Sequence, residues 1–120
     1  MEILVTNNPL VRAKYQSGYK VEFLDADLLG VLTFVRDCVH RGSTLLTHPL
    51  SGSVKPNESP YKSILISSAS GSTDTQSVMI IEECILTEKK FPAKSIPDKY
   101  LQDMQLVDLT LISTALENKN

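Results

Sequence analysis

Ile3-Leu4-Val5-Thr6-Asn7-Asn8-Pro9 is the stretch that decides how this chain folds. A short apolar run, strand-like in character, stops at two asparagines and a proline. Asparagine is a favoured N-cap and proline is favoured at the first helical position. A first strand therefore passes straight into a helix over 9–16. Gly18 is placed to stop that helix in the left-handed conformation. A second strand covers 20–24. Asp25 or Asp27 caps the next helix, which runs to about Arg41. Its buried stripe is Leu28, Val31, Leu32, Val35, Cys38 and Val39, which repeat at helical spacing. Gly30 costs that helix roughly 1 kcal/mol relative to alanine, which points to close packing. His40 and Arg41 suit the negative end of the helix dipole, and Gly42 is the stop signal.

Outward from this core, 43–47 reads as a third strand and 63–66 as a fourth. Strands alternating with helices build a parallel sheet with helices on its faces. The expected fold class is α/β. It is a small three-layer α/β/α arrangement with a mostly parallel four-stranded sheet in the order 2-1-3-4, half of a Rossmann-like or flavodoxin-like architecture. Residues 1–120 are expected to form a single domain. The direction of the fourth strand stays open, because a parallel crossover of about a dozen residues usually contains a helix.

A further helix opens at Asp74 or Thr75, turns Val78, Ile81 and Ile85 inward, and ends near Lys90 at Phe91-Pro92. The last helix starts at Ser95-Ile96-Pro97-Asp98, which resembles a capping box, and runs to about Leu116. It carries more apolar surface than one face requires. Leu101, Met104, Val107, Leu111 and Ala115 form one stripe, and Leu106, Leu109 and Leu116 lie on a second side. Such a helix is either tucked between the sheet and a neighbouring helix or forms a subunit interface, as in a homodimer. Asp108 lies beside the first stripe. It is expected at the edge with a solvated carboxylate, and if buried it must be hydrogen-bonded.

Composition sets the outer bounds. The chain has 120 residues, 42% of them apolar and 22% charged, as in ordinary globular proteins. A net charge of -2 argues against nucleic acid as a partner. No apolar run approaches the roughly 20 residues that span a bilayer. The start Met1-Glu2-Ile3 lacks the basic and apolar character of a signal peptide, so the expected compartment is the cytoplasm. Cys38 and Cys84 read as reduced, small core residues.

The run from Thr47 to Lys62 is a long loop stiffened by Pro49, Pro56 and Pro60. Loops of this length inside a compact domain are usually functional or disordered. On the 2-1-3 order, ligands bind at the carboxyl ends of the strands beside the switch in chain direction. That brings Thr6, Asn7 and Asn8 together with Thr47 and His48. Asn7 and Asn8 cap a helix, whose N-terminus also favours anions. Lys55 and Lys62 add positive charge, and Ser51-Gly52-Ser53 can present backbone N–H groups to a phosphate or carboxylate. Asn57, Glu58 and Tyr61 complete the candidate site, with Tyr61 packing the loop base. His48 is the best candidate for acid–base work, because its ordinary pKa lies near neutrality. A triad of Ser51 or Ser53 with His48 and Glu58 would come from one loop with no nucleophile elbow, and a structural histidine is the plainer reading. No metal site is expected, since His40 and His48 sit in different elements and no cluster has ligand spacing. No cofactor is expected either.

Several of these segments resemble one family. They are Thr6-Asn7-Asn8-Pro9, the run Leu46-Thr47-His48-Pro49-Leu50-Ser51-Gly52-Ser53-Val54-Lys55-Pro56-Asn57-Glu58, the run Pro60-Tyr61-Lys62-Ser63, Met79-Ile80-Ile81-Glu82-Glu83 and Val107-Asp108-Leu109. Together they resemble the GrdX-like family, small proteins encoded among the genes for glycine, sarcosine and betaine reductase complexes of anaerobic, amino-acid-fermenting bacteria. The resemblance implies a cytoplasmic setting and an association with that pathway, and it carries over no activity or catalytic residue. The expectation is an accessory or regulatory protein that binds a small anionic ligand or a protein partner, such as a reductase-complex component, at the crevice. The alternatives are a small enzyme using His48 as general acid or base, and a structural interaction module working through the last helix.

Overall fold

The computed structural model describes residues 1–49, 59–90 and 96–117. Among these, the elements run β1 (Glu2–Thr6), α1 (Pro9–Tyr15), β2 (Lys20–Phe23), α2 (Leu28–His40), β3 (Ser63–Ser67), α3 (Thr75–Lys90) and α4 (Leu101–Glu117). A 3-10 turn at Asp98–Tyr100 leads into α4. No described helix is long and apolar enough to cross a membrane. The expected helix stop at Phe91-Pro92 and the Ser95 end of the capping box lie outside the described residues.

The helix starts follow from their caps. Asn8 is extended and its side chain accepts a hydrogen bond from Leu10 N at 3.0 Å, with Pro9 next to it. Asp27, rather than Asp25, caps α2 by accepting from Gly30 N at 2.8 Å. Asp74 accepts from both the backbone N (3.0 Å) and the hydroxyl (2.6 Å) of Ser77. All six residues of the expected α2 stripe are buried. Gly30 is tightly packed, since a Cβ there would stand 2.8 Å from Ala26 Cβ.

The two helix stops behave differently. Gly42 has φ +111°. Gly42 N bonds to Val39 O and Ser43 N to Cys38 O, each at 3.0 Å, which is the Schellman pattern. Gly18 was expected to act the same way and does not. The described glycines with positive φ are Gly42 and Gly71. α1 ends instead on right-handed Gln16, and Tyr19 N reaches Tyr15 O at 2.9 Å. The last carbonyls are satisfied without a left-handed residue, so Gly18 has nothing to supply.

The sheet has three strands in the order β2-β1-β3 and is mixed. β1 and β2 are parallel, with Thr6 opposite Phe23. β1 and β3 are antiparallel, with Thr6 opposite Ser63. The expected four-stranded, mostly parallel sheet in the order 2-1-3-4 is therefore corrected. The expected fourth strand is β3, and it lies against β1. The expected third strand, 43–47, is displaced to the far side of β3, where it makes an isolated antiparallel bridge, Leu45 to Ile66.

Side-chain hydroxyls explain why 43–47 fails to form a full ladder. Thr44 N donates to Ser67 Oγ, and Leu45 N donates to Ser77 Oγ. Leu46 N and Thr47 N both converge on Leu65 O, while Leu65 N is taken by Thr47 Oγ1. Backbone donors that a strand would pair in register are diverted. β3 is the better central strand, because Ile64, Leu65 and Ile66 are fully buried on both faces.

Alternation along β1 and β3 builds three layers. Val5, Ile64 and Ile66 face α2 and α3, in a cluster that includes Val31, Leu32, Val35, Val39, Ile81, Cys84 and Ile85. Leu4 and Leu65 face the opposite way, onto Val11 of α1 and Ile112 and Leu116 of α4. Each fully buried aliphatic contributes roughly 1.5–3 kcal/mol relative to exposure. Cys38 and Cys84 are free and buried.

The last helix is rotated relative to the expected stripe. Its buried residues are Asp108, Ile112 and Leu116, and Leu109 packs against the same cluster. Val107 and Leu106 are 54% and 53% exposed. Asp108 therefore sits at the centre of the inward face, not at its edge.

Candidate functional site

The carboxyl ends of β1 and β2 and the amino end of β3 meet at one end of the sheet, because β3 runs antiparallel to its neighbour. The 43–47 segment is antiparallel to β3 through its bridge, so Thr47 arrives at the same end.

A line of hydrogen bonds crosses this end. Asn8 N donates to Thr6 Oγ1 at 3.0 Å. Thr6 Oγ1 and Ser63 Oγ are 2.7 Å apart. Ser63 Oγ donates to Asp108 Oδ2 at 2.8 Å. Since Ser63 spends its one proton on the carboxyl group, the Thr6 hydroxyl is the donor to Ser63. The chain thus runs in one direction, from the Asn8 amide to the Asp108 oxygen. Asn8 Nδ2 closes it by donating to the same Oδ2 at 3.0 Å and to Gln105 O at 2.9 Å. Thr6, Asn8, Ser63 and Asp108 are all buried. A network of this kind is stable only when each member is hydrogen-bonded, and each of these four side chains has a partner within it.

Asn7 is equally committed. Its Nδ2 donates to Ala26 O (3.0 Å) and Pro60 O (2.9 Å), and its Oδ1 accepts from Lys62 N (2.9 Å). Those bonds use both amide protons and staple residues 60–62 to the end of β1. Tyr61 Oη accepts from Gln105 Nε2 at 2.9 Å, which fixes the loop base to α4. Asn7, Asn8 and Tyr61 are therefore structural fasteners around the site.

Beside the network lies a cavity of about 30 Å³. Thr47, His48, Lys62, Ser63 and Asp108 line it, with Ile112 of α4 as part of its apolar wall. A water occupies roughly 10–15 Å³ of such space, so the cavity takes a small group, not a whole metabolite. Burial pushes the Lys62 amine below its ordinary value, while the carboxylates of Asp108 and then Glu88 act to raise it. His48 is exposed at the cavity rim.

Of the expected site residues, Thr47, His48 and Lys62 share this cavity. Thr6 and Asn8 stand one hydrogen bond behind it, through Ser63 and Asp108. Asn7 and Tyr61 face a separate groove nearer β2. Ser51, Gly52, Ser53, Lys55, Asn57 and Glu58 lie outside the described residues. Ser63 and Asp108 were not among the expected site residues. The signal for Asp108 was a lone carboxylate within the apolar run Leu106-Val107-Asp108-Leu109. Ser63 carried no signal beyond being a small polar residue at a strand start. Among the described residues, no group of three or more His, Cys, Asp or Glu side chains could hold a metal ion.

Comparison with known proteins gives one result. A family model described as GrdX-like protein matches residues 3–117. No curated protein and no solved structure matches.

Proposed function

The chain belongs to the GrdX-like family, and from that premise we propose that it is an accessory or regulatory protein of the glycine reductase system that holds a small anionic group at the end of the sheet where β1 finishes and β3 begins. The observation that carries this reading is the placing of Lys62 on a cavity shared with His48, Ser63 and Asp108. The cavity has room for the head of a ligand, such as a carboxylate or one face of a phosphate, with the remainder lying outside. Lys62 supplies the positive charge. Ser63 cannot supply a proton, because it already donates to Asp108. Recognition thus rests on Lys62 and His48.

The test is a thermal-shift screen of glycine, betaine, acetyl phosphate and inorganic phosphate against the wild type, Lys62→Met and His48→Ala. A ligand at a hundredfold excess over its Kd adds about 2.7 kcal/mol of stability. The expected result is an anion that raises the wild-type melting temperature and fails to do so in Lys62→Met. No shift with any of the four overturns the reading.

A second reading is a small enzyme with His48 as general acid or base, favoured by the common cavity of His48, Ser63 and Asp108. His48→Ala should then abolish turnover and leave the fold intact, and unchanged rates would dismiss it.

A further inference from the structure

The second groove lies between the carboxyl ends of β1 and β2. These strands are adjacent and parallel, yet their connections leave to opposite faces of the sheet. α1 follows β1 into the layer of Leu4, Leu65 and Ile112. α2 follows β2 into the layer of Val5, Ile64 and Ile81. In open α/β sheets this divergence leaves a crevice that neither connection covers, and ligands settle there. At this place the structure has an open groove of about 360 Å³. That volume is in the range of small-molecule sites, roughly 300–1,000 Å³.

Its lining has a particular chemistry. Phe23 from the end of β2 and Tyr61 from the segment before β3 provide aromatic rings. The Phe23 ring is braced by the Arg12 guanidinium, 3.9 Å from its centroid. Asp25 and Asp27 provide carboxylates, and among the described residues no lysine or arginine lines the groove. Asp27 Oδ1 is taken up in capping α2, and both amide protons of Asn7 are spent. Asp25 is exposed and lies two residues past the end of β2. In βαβ units that hold dinucleotides, an acidic residue after the second strand accepts a ribose hydroxyl. A carboxylate can accept two O–H donors from a vicinal diol. The acidic lining opposes a phosphate at the same place.

We propose that the groove between the ends of β1 and β2 is a binding site for an uncharged ribonucleoside, its planar base against Phe23 and Tyr61 and its vicinal diol on Asp25. This site is distinct from the Lys62 cavity. The two are separated by the Thr6–Ser63 strand pair and differ in charge, one pairing a lysine with Asp108 and the other carrying two aspartates.

Titration of the full-length protein with adenosine and uridine, followed by calorimetry, tests the proposal. At least one of them should bind. The 2′-deoxy analogue should bind at least tenfold more weakly, and Asp25→Asn should weaken the ribonucleoside by a similar factor. Asp25 is exposed, so this variant is expected to fold, and its melting curve checks that. Lys62→Met should leave nucleoside binding unchanged, which separates this site from the anion site. The proposal is overturned if neither nucleoside binds at millimolar concentration, if the deoxy analogue or Asp25→Asn binds as well as the reference, if AMP or ATP binds more tightly than adenosine, or if choline displaces the nucleoside.

Discussion

Asn8 Nδ2 donates to Asp108 Oδ2 at 3.0 Å, joining two side chains that are 100 positions apart. One asparagine thereby does two jobs. It caps α1 through Leu10 N, and it anchors α4 through Asp108 and the Gln105 carbonyl. Loss of an asparagine cap alone costs about 1 kcal/mol. Leaving a buried carboxyl oxygen and a carbonyl short of a donor costs about 1–3 kcal/mol more. Asn8→Ala should therefore lower the unfolding free energy by about 3 kcal/mol in urea titration. Asp108→Asn, which keeps an acceptor oxygen, should lose about 1 kcal/mol. If Asn8→Ala costs no more than a cap, Asn8 does not hold α4.

Two glycines predict opposite outcomes. Gly42 sits at φ +111°, and a Cβ there would stand 3.0 Å from Gly71 N. Strain at such a backbone position costs about 1–3 kcal/mol. Gly42→Ala should lower the melting temperature by about 8 °C, taking about 4 °C per kcal/mol for a domain of this size. At Gly18 φ is not positive, and a Cβ meets nothing within 4 Å. Gly18→Ala should be neutral or stabilising by up to about 1 kcal/mol, through lower entropy of the unfolded chain. A destabilised Gly18→Ala would restore that glycine as the helix stop.

Local signals in this chain were legible and long-range ones were not. Asn8-Pro9, Asp27 and Gly42 each act within one helical turn, and each does what its type and position imply. The α2 stripe was legible because all its apolar residues face one large cluster. The neighbour of β1 was not legible, because 43–47 and 63–67 are both short apolar runs and pairing depends on what each leaves unbonded. Thr47, Ser67 and Ser77 capture the donors and acceptors that a ladder with 43–47 would use, and none of those contacts is local. In the candidate site, Lys62 and His48 were legible by residue type. Asp108 was misplaced because a carboxylate on an apolar helix reads as an edge residue. Its partners Asn8 and Ser63 lie 100 and 45 positions away.

The rotation of α4 separates two kinds of leucine. Leu109 packs against the Leu4–Leu65 cluster, whereas Leu106 and Val107 face outward. Surface substitutions usually stay within about 0.5 kcal/mol. Leu106→Gln and Val107→Gln should each fall in that range by urea unfolding. Leu109→Asp should cost about 2 kcal/mol or more, since it places an unpaired carboxylate against the core. If copies of the chain dimerise through this helix, light scattering of the double variant Leu106→Gln/Val107→Gln should show the loss of the dimer. Equal cost at Leu106 and Leu109 would contradict the observed orientation.

Cys84 should make the fold sensitive to alkaline pH. The thiol is 2% exposed, and burial is the main cause that pushes its pKa from 9.0 up to about 11, with nearby Lys62 working the other way. Between those two values the unfolded chain loses the thiol proton and the native chain keeps it. The native state then binds more protons, so stability falls as pH rises. The full effect is about 2–3 kcal/mol, reached above pH 11. Lys62 acts oppositely, because its amine is held below 10.5, and the native state releases that proton before the unfolded chain does. Cys84→Ala isolates the thiol. Alanine removes a constant amount of packing at every pH, so the stability difference between wild type and variant should be flat below pH 8.5 and then shift in favour of the variant by about 2–3 kcal/mol toward pH 11. Urea titrations at five or six pH values measure it. A difference that stays flat across the whole range would mean that the native thiol ionises as freely as the unfolded one.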